Sequence, residues 1–375
     1  MSHIDFFNKY FPTAHYLEMS HVGVDVSSSA VHVSELLRTS KGLKLRFCSE
    51  EKLDAPILSN ESLISNKNLI TILKKIQKKY NLKFVEVSIP EEKAYLFTIE
   101  VEDGSKEEIR TRIEMHLEEN VPISIDDAVF DYHRIKKNEN TGMQFLAVSV
   151  VPSIVINEYI ELFESCGMFP ISFLIENQAL SRAIIKRGDR ENYLVVNVGS
   201  KSTVLSVVND ETVQFTSTVS LGSEDFTNAI MKAASLDQDQ AVSLKYEKGF
   251  SRDKENEVVS NALIGTSNIL IEEIKKIFVY WNSLNTSKGL EGVITELQDN
   301  NSAFNNGGVK KILIAGREAG IIGFRDFLAI SLKTPVEIAN VWTNILSFEN
   351  DIPEISMKES LGYGISLGLA LLKDQ

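Results

Sequence analysis

The chain has 375 residues, enough for two compact domains with a large core. Its hydrophobic and charged fractions, 43% and 24%, are ordinary for a globular protein, and its formal net charge of −13 disfavours a broad nucleic-acid-binding surface. The two cysteines and six histidines have no zinc-site spacing, and so few cysteines fit a reducing compartment.

The amino-terminal stretch MSHIDFFNKYFPTAHYLEM does not have the pattern of a signal peptide. Asp5 and Lys9 interrupt its apolar residues, and no small-residue cleavage site follows. Nowhere does the sequence approach the roughly 18 uninterrupted apolar residues that a membrane span needs. We therefore expect a cytoplasmic protein without direct membrane insertion, in which the aromatic residues at positions 6–11 pack as a short helix onto the body of the protein.

Residues 22–36, VGVDVSSSAVHVSEL, predict a strand, a small polar turn and a second strand. Asp25 ends the first strand and faces a turn that contains Ser27, Ser28 and Ser29. Such a turn occurs in ordinary hairpins, where Asp and Ser bond their own backbone. It also suits a loop that holds a metal-bound phosphate. This stretch alone leaves both interpretations open.

Apolar periodicity predicts mixed helices and strands along the rest of the chain. Ser105 and Glu108 form a predicted capping box ahead of a helix, and residues 144–151 predict a buried strand. Residues 299–308, DNNSAFNNGG, predict a mobile loop. The other predicted helices cover residues 66–82, about 153–165, 223–248 and 257–285. This mixture indicates an α/β protein.

The segment LVVNVGSKSTVLSVV, residues 194–208, repeats the plan of residues 22–36. Asn197 stands at the position of Asp25, and Gly199 and Ser200 begin the polar turn. Each copy then continues into a second strand and a turn. Two such hairpins facing one cleft could offer backbone N–H groups and hydroxyls to the phosphates of a single nucleotide, and the nucleotide could then close two lobes.

Taken in order, six segments resemble the actin-like ATPase superfamily and, within it, the PilM family of type IV pilus assembly proteins. The segments are FPTAHYLEMSHVGVDVSSSAVHVSEL, FVEVSIPEEKAYLFTIEV, EIRTRIEMHLEENVPISIDDAVFDYHRI, FLIENQALSRAI, KILIAGREAG and ESLGYGISLGLALL. The resemblance implies an α/β, two-lobed actin-like (ribonuclease H-like) fold with a small inserted α+β subdomain.

The resemblance also implies four subdomains. The first core subdomain would comprise residues 1–83, 153–190 and 353–375, and the inserted subdomain residues 84–152. The second core subdomain would comprise residues 191–222 and 309–352, and a helical or mixed subdomain residues 223–308.

A cleft that binds ATP and magnesium is implied by the same resemblance. Asp25 and Asn197 would hold magnesium through water, and Glu176 would orient the attacking water. Glu176 could instead simply begin a helix, where an acid suits the positive end of the dipole. Nucleotide contacts are implied for Ser27, Ser28, Ser29, Gly199, Ser200, Lys201, Ser202, Thr203, Lys245, Gly316 and Arg317.

This chain departs from the family pattern at several of these positions. The departures are Ser27 in place of a glycine, His32 in place of a basic residue that is usually lysine, Asn197 in place of an acid, Val242 in place of a glutamate, and Arg317 and Glu318 in place of glycines under the adenine. A large side chain after Gly316 could fill the space of the base, or Arg317 could stack on it. Because phosphoryl transfer depends on positioning and charge stabilisation, these departures predict at most weak ATPase activity.

The resemblance implies a cytoplasmic scaffold of a type IV pilus or type II secretion-like platform at the inner face of the membrane. It would bind the cytoplasmic tail of a PilN-like membrane protein between the first core and inserted subdomains, and contact other platform proteins. Self-assembly is left open, and no nucleic-acid partner is expected.

Three alternatives share the fold: an active actin-like ATPase, an acetate- or sugar-kinase-like enzyme, and a cell-division FtsA-like protein. A kinase needs a base facing the γ-phosphate, which the sequence does not clearly provide. The FtsA-like pattern ends in a separate amphipathic membrane helix, whereas GYGISLGLALLKDQ predicts the last helix of the fold itself.

Overall fold

The computed structural model describes residues 21–39, 42–55, 57, 62–137, 141–287, 308–346 and 352–371. The expected amino-terminal aromatic helix lies outside these residues, as does the expected loop at 299–308 apart from Gly308. Among the described residues, no helix combines the length and the apolar character required to cross a membrane.

The strands and helices alternate along the described chain. The strands are β1 (His21–Val26), β2 (Ala30–Thr39), β3 (Gly42–Lys52), β4 (Phe84–Ile89), β5 (Tyr95–Glu102), β6 (Ala128–Lys137), β7 (Met143–Pro152), β8 (Phe169–Ile175), β9 (Tyr193–Val198), β10 (Thr203–Asn209), β11 (Thr212–Val219), β12 (Lys311–Ala315) and β13 (Val336–Ile338). The α-helices are α1 (Lys67–Tyr80), α2 (Lys106–Asn120), α3 (Ser153–Ser165), α4 (Glu176–Ile184), α5 (Ser223–Ala234), α6 (Gln238–Glu247), α7 (Glu257–Ser287), α8 (Phe324–Leu332), α9 (Met357–Ser360) and α10 (Gly364–Ala370).

Two five-stranded sheets with the same topology form the cores of two lobes. The first sheet has the order β3-β2-β1-β4-β8, and the second has the order β11-β10-β9-β12-β13. In each sheet an antiparallel hairpin is followed by a parallel strand on its other side, as β1 pairs with β2 and β4 and β9 pairs with β10 and β12. The internal repeat at residues 22–36 and 194–208 is therefore confirmed, and it defines the two lobes.

Helices α4 and α10 pack between the two sheets. Their apolar residues Leu180, Ala183 and Leu367 share one core with both sheets. Small residues permit this close packing, since a Cβ at Gly23 of β1 would collide with the backbone of α10, and one at Gly368 with the backbone of α4. The two helices thus join the lobes along a continuous hydrophobic contact.

The inserted subdomain is a three-stranded sheet of order β5-β7-β6 with α2 on one face. Leu146, Val148 and Val150 of β7 point toward α2, because side chains alternate across a strand. The capping box of Ser105 and Glu108 is confirmed at the start of α2. The expected start of this subdomain at residue 84 is wrong, because β4 pairs with β1 and β8 in the first core sheet.

The outer faces of both sheets are covered by amphipathic helices. α1 buries Leu69, Ile72, Leu73 and Ile76, as their spacing predicts. The single helix expected over residues 223–248 is wrong. It is divided into α5 and α6 by Ser235, which ends α5 in a left-handed conformation (φ 54°), and by the capping box that Asp237 forms at the start of α6. Short polar residues compete for backbone hydrogen bonds and so favour helix ends.

Candidate functional site

The first hairpin loop is closed by its own serines. The backbone N–H and the hydroxyl of Ser27 donate to the carbonyl of Ala30 at 3.0 and 2.9 Å, and the Ala30 N–H donates back to Ser27 Oγ at 3.1 Å. The carbonyls of Ser28 and Ser29 accept hydrogen bonds from Ile57 and Leu53. The Ser27 hydroxyl thus stabilises the turn, as in an ordinary hairpin.

Asp25 is buried at the end of β1, with only 2% of its surface exposed. Its Oδ1 accepts a hydrogen bond from Ser88 Oγ at 2.7 Å, and its Oδ2 lies 3.4 Å from His32 Nδ1. Ser88 comes from the neighbouring parallel strand β4, and the His32 ring packs edge-on against Tyr363. Both carboxylate oxygens therefore face groups of the first lobe.

The second hairpin loop is anchored to the start of α5. The Gly199 N–H donates to the carbonyl of Ser202 at 2.9 Å, and a Cβ at Gly199 would lie 2.9 Å from that same oxygen. Ser200 Oγ donates to Glu224 at 2.8 Å, and the buried Thr203 hydroxyl donates to the Leu221 carbonyl at 2.6 Å. Lys201 is exposed at the tip of the loop, and Ser202 beside it is partly buried.

The amino-terminal end of α4 brings predicted residues of both lobes together. Asn197 donates to Asn177 Oδ1 at 3.2 Å, and Asn177 donates in turn to Ser206 Oγ. Burial, together with the charges of Asp25 and Glu91, raises the pKa of the Glu176 carboxyl well above its usual value. Asn197 thus contacts the amino-terminal turn of α4, and the charge of Asp25 acts on Glu176 in the same turn. The chemical roles of these residues remain predictions.

Sequence reasoning missed Glu91 and Asn177 in this cluster. Glu91 follows Pro90 directly after β4, is 8% exposed, and burial raises its pKa from about 4.5 to about 7. Hydrogen bonds from Thr216 of the second lobe and from the Asn177 backbone oppose that shift in part. For Asn177, a polar residue in the first turn of a buried helix, that position in the sequence could have indicated a site residue. For Glu91, no local sequence pattern indicated a role in the site.

Lys245, expected at the nucleoside, is buried in a cluster of polar side chains. Its Nζ lies 3.2 Å from Glu318 Oε2 and donates to Ser223 Oγ at 2.9 Å and Thr227 Oγ1 at 3.0 Å. The other oxygen of Glu318 accepts hydrogen bonds from Ser223 Oγ at 2.6 Å and from Tyr246 at 2.7 Å. We call these five residues the Lys245 cluster. In this arrangement Lys245 does not reach outward to a ligand.

Arg317 bridges the two lobes. Gly316, at the end of β12, has a φ of +79°, and a Cβ there would collide with the Val198 carbonyl. The chain then turns so that the Arg317 guanidinium pairs with Glu50 of β3, in the first lobe. The guanidinium also packs against Gly362, where an added Cβ would lie 3.0 Å from Arg317 Nε.

These residues do not fit magnesium or a nucleoside as they are arranged. Magnesium favours hard anionic oxygens, but both Asp25 oxygens face Ser88 or His32, and Asn197 supplies a neutral amide. Within the described residues no group of three or more His, Cys, Asp or Glu side chains could hold a metal ion. On the nucleoside side, Lys245 and Arg317 are both paired with acids of the chain itself.

A groove of about 980 Å³ lies on the other side of α4. One wall is the face of β6 and β7 turned away from α2, where Val129 pairs with Val151, Asp131 with Ser149, and His133 with Ala147. Residues from β8, α4 and the β10–β11 turn complete it, including Phe173, Ile175, Gln178, Ser181, Arg182, Asp210 and Glu211. We call this space the subdomain groove.

The subdomain groove contains buried polar atoms that the described residues leave without a hydrogen-bond partner. These atoms are Ser181 Oγ and Arg182 Nη1. They lie beside exposed apolar surface, since Val129 of β6 is 47% exposed. Both β6 and β8 are edge strands of their sheets. This combination of open backbone edges, apolar contacts and free donors suits an extended peptide.

Comparison with known proteins gives the chain its family. A family model described as "Type IV pilus assembly protein PilM" matches residues 23–294. A chain of the structure described as "PilM-PilN type IV pilus biogenesis complex" is similar with a TM-score of 0.70 at 16% identity, over 94% of this chain and 98% of that one. The ethanolamine utilization protein EutJ from Carboxydothermus hydrogenoformans gives a TM-score of 0.50 at 13% identity, over 98% and 96%.

These likenesses confirm the two-lobed actin-like fold predicted from the sequence. The family model covers well over half of the 375 residues. The chain belongs to the PilM family of type IV pilus assembly proteins.

Proposed function

We propose that this protein is a cytoplasmic scaffold of a type IV pilus inner-membrane platform, and that its subdomain groove binds the cytoplasmic tail of a PilN-like membrane protein. The observation that carries the proposal is the groove itself, with its edge strands and its unpartnered Ser181 and Arg182 atoms. Family membership and the likeness to a PilM chain solved with PilN support it.

The geometry of the groove favours an extended, partly apolar segment. A peptide strand laid along β6 or β8 would satisfy the free N–H and C=O groups of that edge. Its alternate side chains would then face Val129 and Val151 on one side and Phe173 on the other. The Arg182 guanidinium can donate to a carbonyl or carboxylate of the same segment, because Arg presents several N–H donors in a rigid fork.

The remaining parts of the proposed role follow from this contact. A tail bound in the groove would hold the protein at the inner face of the membrane. The rest of the surface would then be free to contact other platform proteins. Among the described residues of the cleft, the side chains that would position a nucleotide are engaged with other groups of the chain.

The test uses a labelled synthetic peptide with the sequence of the cytoplasmic tail of the PilN-like protein from the same organism. Fluorescence anisotropy measures its affinity for the full chain and for Val129→Arg, which adds a charge and bulk to the groove wall. We expect affinity to fall at least tenfold, about 1.4 kcal/mol. The matched control is Met115→Arg, on the exposed face of α2, away from the groove (71% exposed).

Two results would contradict the proposal. One is an absence of saturable peptide binding by the wild-type protein. The other is an equal loss of affinity in Val129→Arg and Met115→Arg, because the effect would then not depend on the groove.

A further inference from the structure

We infer that the nucleoside half of the cleft between the two lobes is filled by the chain's own charged side chains, and that an ion pair of the chain, in place of a nucleotide, connects the lobes across this cleft. This inference goes beyond the proposed peptide binding and does not depend on it. It concerns positions where the family resemblance leads us to expect glycines and a free lysine.

The Lys245 ammonium group is surrounded by polar partners from the chain itself. An ammonium group has three protons, and Nζ has Glu318, Ser223 and Thr227 within 3.2 Å. The side chains of Lys245 and Glu318 are each only 2% exposed. A ligand that recruited Lys245 would leave the Glu318 carboxylate buried without its cation, which is strongly unfavourable.

Glu318 occupies a position where the resemblance leads us to expect a small residue. Glu318 lies in the turn after β12, where the resemblance expects small residues that leave room beneath an adenine. Here its carboxylate reaches the start of α5 and the hydroxyl of Tyr246 on α6. The carboxylate and the aromatic ring therefore occupy the junction of three elements that would otherwise enclose a base.

A residue of the carboxyl-terminal segment, Lys358, packs on the Lys245 cluster. Lys358 of α9 lies over the Tyr246 ring, with Nζ 4.8 Å from its centroid. The Lys358 side chain also covers Gly320, where an added Cβ would lie 3.2 Å from its Cγ. Lys358 thus packs on Tyr246, a member of the Lys245 cluster, while Arg317 packs on Gly362.

The ion pair of Arg317 with Glu50 connects the two lobes. Glu50 belongs to the first sheet and Arg317 to the turn that follows β12 of the second sheet, so their ion pair spans the cleft. In a nucleotide-dependent actin-like protein the ligand contacts both lobes and its presence favours closure. Here a guanidinium and a carboxylate of the chain make a direct connection between the lobes.

The experiment titrates ATP, with and without magnesium, into the full chain and follows binding by calorimetry and by the melting temperature. We expect no saturable binding and no rise in melting temperature at ligand concentrations of roughly 1 mM, because nothing would bind the folded state by mass action. Saturable binding by the wild-type protein at this concentration would overturn the inference. This measurement requires no variant to fold.

The variant Arg317→Gly/Glu318→Gly restores the glycines that the resemblance expects. We expect it to gain an ATP-dependent rise in melting temperature. A folded double variant that still fails to bind ATP would overturn the assignment of these two side chains as the groups that fill the site.

A separate pair of variants tests the bridge. In Arg317→Ala, backbone amides of β3 around Glu50 should exchange their hydrogens several-fold faster. In Arg325→Ala they should not, because Arg325 is similarly exposed but pairs with Asp326 in its own lobe. Equal exchange in the two variants would show that the ion pair does not hold the lobes.

Discussion

The inter-lobe cleft and the subdomain groove lie at different parts of one helix, α4, and they differ in how their basic side chains are hydrogen-bonded. Glu176 and Asn177 of α4 face the cleft, while Ser181 and Arg182 line the groove. In the nucleoside half of the cleft, Lys245 and Arg317 are each paired with an acid. In the groove, Ser181 Oγ and Arg182 Nη1 have no hydrogen-bond partner among the described residues.

This difference indicates where a ligand gains most. Buried polar groups are nearly always hydrogen-bonded in folded proteins, and an unmet donor costs free energy that a ligand can recover. A ligand entering the nucleoside half of the cleft must first break existing pairs. A peptide entering the groove can add hydrogen bonds at Ser181 Oγ and Arg182 Nη1.

The largest expected effect comes from breaking the Lys245 cluster. Glu318→Ala leaves Lys245 buried without its carboxylate, and removing one partner of a buried pair costs about 3–5 kcal/mol of unfolding free energy. Glu337→Ala is the comparator, since its ion pair with Lys311 lies at the surface and should contribute less than about 1 kcal/mol. Urea denaturation measures both, and similar losses would mean that the buried cluster is no more important than a surface pair.

A second effect concerns pH and the acids at the amino-terminal end of α4. Burial raises the pKa of Glu91 from about 4.5 to about 7, so the folded state binds a proton that the unfolded state has lost. Stability should therefore fall as pH rises from about 4.5 to about 7 and level off above that range, by about 3 kcal/mol for this group. Glu176, whose pKa is also raised, contributes in the same direction.

Denaturation at several pH values tests this effect with Glu91→Gln. The amide mimics the protonated acid, so the variant should lose most of the decline and be more stable than the wild type at pH 8. Glu92→Gln is the matched control, because Glu92 is the exposed neighbour. An unchanged pH profile in Glu91→Gln would mean that Glu91 is not the group responsible.

The smallest expected effect concerns the free donor of the groove. Arg182→Gln removes the guanidinium and should weaken binding of the PilN-like tail peptide about tenfold, because a hydrogen bond to a charged group contributes about 1.5–3 kcal/mol. Arg325→Gln, in the second lobe, should leave affinity unchanged. Fluorescence anisotropy compares the two, and wild-type affinity in Arg182→Gln would exclude Arg182 as a recognition residue.

Much of the fold was predictable from local patterns. The alternating apolar residues of 22–36 and 194–208 predicted the two hairpins, and the duplicated topology of the two sheets follows from them. The spacing of Leu69 to Ile76 predicted α1 and its buried face. The predictions that were wrong were boundaries: the break between α5 and α6, and the sheet to which β4 belongs.

The candidate site was less predictable. The resemblance implied one shared site for Asp25, Asn197 and Glu176, which stays a prediction; the structure places Asn197 against Asn177 of α4 and the charge of Asp25 near Glu176. Sequence position did not indicate Glu91, because that residue reaches the cluster only through the packing of the segment after β4 beside the second lobe. The resemblance suggested that Arg317 or a neighbour could occupy the place of the base, but it did not identify a partner for Lys245.

The sequence by itself determined the elements, because helix and strand periodicity, capping residues and turn residues act over a few neighbouring positions. It also determined the family, because the order of these segments persists even where single site residues change. Only the tertiary structure decided which charges pair. Lys245 meets Glu318, and Arg317 meets Glu50, only when distant segments pack together. Ion pairing depends on distance in space and on burial, and neither is contained in the local pattern of the chain.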